Sequence, residues 1–109
     1  MSTSPYILIN NLEGTLMGVF SLIDLYTLDS AAVSAVTAIR KYVVEARIKI
    51  RDYELAGSRK EQLMYSRSSK RRLEDIRKAI LVASESKIFS PVDVAQLTAN
   101  VDLITDLLI

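Results

Sequence analysis

An all-α fold, an antiparallel bundle of about four helices, is predicted by three observations on this 109-residue sequence. Half of the residues are apolar and only three glycines and two prolines interrupt them, which favours long elements. Apolar residues recur at spacings of three and four, most plainly along Val33, Val36, Ile39, Val43, Ala46, Ile50 and Tyr53, a single stripe on one helix. The β-branched residues share that helical spacing, and no stretch alternates as a strand does. The length fits one domain, residues 1–109, able to bury about two thirds of its unfolded surface.

Ser4-Pro5 opens the first helix, placed near 5–28, with a capping hydroxyl and a proline where no donor is needed. From Tyr6 to Leu28 apolar residues occupy more than one face, which calls for burial on nearly every side, inside a bundle or at a subunit interface. The Leu12 to Leu28 run carries Glu13 and Asp24 and falls short of the roughly 20 apolar residues of a membrane span, so no span is expected. Gly14 and Gly18, one turn apart, allow two readings: a notch for a closely packed helix, or a kink.

Asp29 or Ser30 caps the second helix, near 31–57 or beyond, whose exposed side is braced by Lys41, Glu45 and Lys49 at four-residue spacing. Ala56-Gly57 followed by Ser58-Arg59-Lys60-Glu61 has the marks of a stop and a new capping box, yet the apolar register continues to Met64. A break at Gly57 predicts a compact bundle with a basic loop beside it. Continuation predicts an elongated, dimeric protein, because a helix from Ala31 to Met64 spans roughly 50 Å. Ser66 to Arg72 holds no apolar residue and reads as a loop or an exposed turn, so the third helix is placed near 69–86, capped by Ser68 or Ser69 and striped by Leu73, Ile76, Ile80 and Ala83. Ser90-Pro91-Val92-Asp93 starts the fourth, near 91–109, with Val94, Leu97, Val101, Ile104 and Leu108 as its stripe. The first and last helices are expected to be the most buried and to cover the second. The apolar end, Leu107-Leu108-Ile109, is expected to pack against its own chain or another subunit.

The net charge of +1 conceals a strong partition. All fourteen Lys and Arg lie between 40 and 87 with seven acids, leaving that segment at +7, while the two flanks hold six acids and no base. The chain has neither cysteine nor histidine, which excludes a disulfide framework, thiolate or imidazole metal sites and the commonest nucleophile and general base. There is no glycine-rich phosphate loop. Asp24, Asp102 and Asp106 are the carboxylates from which a magnesium site can be drawn; they read instead as surface charges, and no cofactor is expected. A faint helix-turn-helix pattern over Phe89 to Thr105 has no Lys or Arg in its would-be recognition helix and is set aside.

The functional expectation is a small non-enzymatic interaction protein, an adaptor, chaperone-like or regulatory module working through helix–helix contacts with a protein partner and as a homo-oligomer. The oligomer interface is drawn from Leu16, Phe20, Ile23, Leu107, Leu108 and Ile109. The alternative is a nucleic-acid-binding module using Arg59, Lys60, Arg67, Lys70, Arg71 and Arg72, with Tyr65 nearby, against which the nearly neutral total charge weighs. No Lys or Arg precedes Arg40, so the charged opening of a signal peptide is missing, and the cysteine-free composition suits a reducing cytoplasm, the expected location.

Overall fold

The structure, a computed structural model, describes residues 4–109. Its helices are α1 (Pro5–Ser21), α2 (Ser30–Leu55), α3 (Arg59–Glu85) and α4 (Pro91–Leu107), with a single 3-10 turn at Leu25–Thr27, and no strand occurs among the described residues. Each helix starts on a side chain that accepts an otherwise unpaired N–H. Ser4 Oγ takes the Ile7 N–H at 3.2 Å, Asp29 Oδ1 that of Ala32 at 2.7 Å, Ser58 Oγ that of Glu61 at 3.2 Å and Ser90 Oγ that of Asp93 at 3.1 Å.

Each helix runs antiparallel to the next. The main-chain N–H of Tyr6 donates to Glu54 and Arg47 donates to Glu13, which sets α1 against α2. Arg72 reaches Glu45 across α2 and α3, and Arg77 pairs with Asp102 across α3 and α4. Helices α4 and α1 also touch, closing an up-down-up-down ring around one core. Leu12, Leu16, Ile39, Ile50, Leu73, Ile76, Ile80 and Ile104 lie fully inside it.

The Gly57 question resolves in a way that joins both expectations. The helix does break there, because Ala56 leaves α2 in an extended conformation and Ser58 caps α3. The result is nevertheless elongated: two helices of 26 and 27 residues, each about 40 Å long, fold back on one another as a hairpin. The molecule measures 48 × 27 × 19 Å, with a radius of gyration of 14.3 Å against about 13 Å for an average compact chain of this length.

Three sequence-based expectations need correction. The third helix begins at Arg59 rather than near 69, so the Ser66 to Arg72 run is mid-helix and neither a loop nor a cap. Its inward positions are serines: Ser66 and Ser69 are buried, and the Ser66 hydroxyl donates to the Ile109 main-chain oxygen at 2.6 Å. The first helix ends at Ser21, not 28. Leu22 and Ile23 tighten onto the carbonyls of Val19 and Phe20, and the Asp24 carboxylate then accepts the Tyr26 N–H and turns the chain away. Finally, α2 is the most buried helix, with Ala32, Ala35, Val36, Ile39, Val43, Ala46, Ile50 and Tyr53 inside; its main cover is α3, and α1 and α4 flank the hairpin.

The end of α3 carries a local conflict. The N–H groups of Lys87 and Ile88 bond back to the carbonyls of Ser84 and Ala83, the double bond of a Schellman turn, which places Lys87 at φ 60° in the left-handed region. Glycine adopts that conformation without the cost a Cβ brings. Lys87→Gly is therefore expected to raise stability by about 1 kcal/mol in chemical denaturation, and an unchanged midpoint would show that the lysine stem compensates elsewhere.

Candidate functional site

The bundle has two chemically different sides. All fourteen Lys and Arg lie between Arg40 and Lys87, so α2 and α3 with the loop that follows hold every base and α1 and α4 hold none.

The basic segment forms a helical face of α3. Lys60, Met64, Arg67 and Arg71 recur at spacings of four, three and four, and all are exposed, so three cations follow one another along about 16 Å of helix. Arg59, also exposed, adds a fourth at the helix start. The stems of Arg59, Lys60 and Arg67, with Leu63 and Met64, line an apolar hollow of about 630 Å³. The two remaining bases of the run are held inside the structure. Arg72 bridges Glu45 at 3.0 Å and Asp75 at 2.7 Å, and Lys70 donates to the Ile109 main-chain oxygen at 2.8 Å. Tyr65 packs against the core and offers no free ring for stacking on a base.

The residues expected at an oligomer interface divide likewise. Leu16, Phe20 and Leu108 are buried in the chain's own core, Ile23 packs against it, and Leu107 and Ile109 remain exposed. Phe20 is fixed at one end of the bundle: its ring lies 5.9 Å from that of Phe89 at a tilt of 41°, and the Arg40 guanidinium sits 5.4 Å over it.

What the sequence reading missed is the outer face shared by α1 and α4. On α1 the exposed positions Ile7, Asn11, Gly14, Thr15, Gly18 and Leu22 carry no charge. On α4 they are matched by Val92, Gln96, Ala99, Asn100, Leu103 and Leu107. Glu13 turns instead to Arg47 on the α2 side, while Asp102 pairs with Arg77 and marks, with Asp106 one turn on, the edge toward α3. Leu103, 49% exposed, borders a shallow cleft of about 160 Å³ between the two helices that Asn11, Thr15 and Asn100 also line. The signal was the absence of bases from both flanks together with apolar residues at outward helical spacing.

Among the described residues the fold does not bring Asp24 together with Asp102 and Asp106. Asp24 accepts its own loop's N–H and Asp102 is paired, and no set of three acidic residues that could hold a metal occurs among the described residues. Ser66 and Lys70, one turn apart, set a hydroxyl beside an amine, but Ser66 is 1% exposed and both side chains donate to the same Ile109 oxygen. Among the described residues no helix is long and apolar enough to cross a membrane. No protein-family model matches the chain, and no similar protein was found among curated proteins or solved structures.

Proposed function

We propose that the protein is a non-enzymatic interaction module that works by docking helices against its α1–α4 face. The observation that carries this reading is the uncharged character of that face in a chain of which a quarter is charged. Ile7, Leu22, Leu103 and Leu107 are all exposed there with no lysine or arginine among them; of the four carboxylates on α1 and α4, Glu13 and Asp102 are ion-paired, and the unpaired Asp93 and Asp106 lie near the two ends of α4. Depletion of charge around exposed aliphatic side chains distinguishes the centre of an interface from ordinary surface. The basic face of α3 then lies on the other side of the bundle and keeps it soluble.

Capture from native lysate tests the reading. A protein partner is expected to survive nuclease treatment and to be lost with Ile7→Glu, whose side chain is 51% exposed and whose change leaves the core intact. A partner that instead disappears with nuclease and with Arg71→Glu, and whose binding falls steeply with salt, would move the function to the α3 face and to nucleic acid.

A further inference from the structure

We infer that the occupant of the α1–α4 face is a second copy of the same chain, packed across a two-fold axis; this rests on the helix-docking reading above and names its partner.

Charge is the first ground. The centre of the face is aliphatic and amide, with no base, with Glu13 and Asp102 ion-paired and with the unpaired Asp93 and Asp106 near the two ends of α4, so two copies can meet centre to centre with little repulsion, and the face offers no cation with which to select an acidic partner.

Shape is the second ground. The same patch offers both projections and a recess, since Ile7 and Leu107 stand out from it while the α1–α4 cleft, bordered by Leu103, lies between the helices. A two-fold interface demands this self-complementarity, because what one copy inserts its partner must receive. Asn11 and Asn100 in the cleft supply hydrogen-bonding groups that need no charge on the other side.

Area is the third ground. Two helices of 17 residues are each about 25 Å long and together roughly 20 Å wide, giving about 500 Å² per copy and about 1,000 Å² in all, the lower end of a specific interface. The expected dimer is therefore a micromolar one. Because the unpaired charges on the two helices are carboxylates of one sign, added salt screens them and leaves the seam unchanged or tightens it.

Sedimentation equilibrium on the full chain over about 1 μM to 1 mM tests the inference. The wild type is expected to move from the 12.2 kDa chain mass to twice that value. Leu103→Glu and Gly18→Arg are each expected to raise the dissociation constant more than about 30-fold. A Cβ at Gly18 would meet no neighbouring atom within 4 Å and the position is exposed, so that variant should keep its helical circular dichroism, and Arg71→Glu on the opposite side serves as the unaffected control. A monomer at every concentration, or a dimer indifferent to both variants, would overturn the second copy as occupant. If the chain is monomeric and Ile7→Glu still abolishes capture of another protein, the docking face stands and only its occupant is wrong.

Discussion

Phe20→Ala is expected to lower stability by about 3–5 kcal/mol and the melting midpoint by at least about 10 °C. The ring is 3% exposed and lies where three parts of the chain meet: the last turn of α1, the Phe89 segment between α3 and α4, and Arg40 of α2. Truncation removes the contact with Phe89 and empties space that rigid helix ends cannot close. Two controls bracket the effect. Leu22→Ala, 88% exposed and two residues away, should change stability by less than about 0.5 kcal/mol. Arg40→Gln, which removes only the cation over the ring, should cost under about 1 kcal/mol. Equal losses for Phe20→Ala and Leu22→Ala, measured by urea denaturation, would mean that this end of the bundle is not packed as described.

Ile39→Ala should cost about 2–5 kcal/mol, while Leu103→Ala on α4 should cost less than about 1 kcal/mol. Ile39 is fully buried near the middle of α2, which faces both α1 and α3, so the cavity it would leave has walls on several elements and little freedom to collapse. Against a typical total stability of about 5–15 kcal/mol, that loss is a large share. The pair separates two pictures of the bundle. A loss at Leu103 equal to that at Ile39 would mean that the outer face of α4 is covered rather than open. Thermal and urea unfolding of both variants decides between them.

The helical class and most element starts were legible because they depend on local chemistry. The Val33 to Tyr53 stripe and the Ser90-Pro91 start each act over a few residues and appear where the spacing placed them, and of the two readings open at Gly57 the structure takes the break with its Ser58 cap. The first ten residues of α3 were not legible, because a polar residue is ordinarily counted as solvent-facing. Ser66 and Ser69 occupy inward positions; Ser66 finds an acceptor in Ile109, 43 residues away, and the Ser69 hydroxyl is buried with no hydrogen-bond partner among the described residues. The end of α1 was misplaced for the opposite reason. Apolar residues continue past Ser21, but Leu22 and Tyr26 are almost wholly exposed, so their hydropathy carried no information about the helix.

The candidate sites show the same division. A run of bases looks like one patch when read along the chain, but on a helix neighbouring residues point about 100° apart. Arg71 is consequently free while Arg72 is held by Glu45 and Asp75. Similarly, the apolar residues of α1 divide between Leu12, Leu16 and Phe20, which the chain covers itself, and Ile7 and Leu22, which it does not. Only the placement of α2 and α4 on either side of α1 decides which is which.

The pairing of α1 with α4 gives that neutral face an unusual dependence on the order of assembly. The α2–α3 hairpin is local in sequence, with a three-residue connection, and can form early. Helices α1 and α4 come from opposite ends of the described chain, and some seventy residues separate the end of one from the start of the other. Their shared surface exists only once both have docked on the hairpin. A partner that reads both helices together therefore reads completion of the fold, and a copy with either end detached presents it with half a surface.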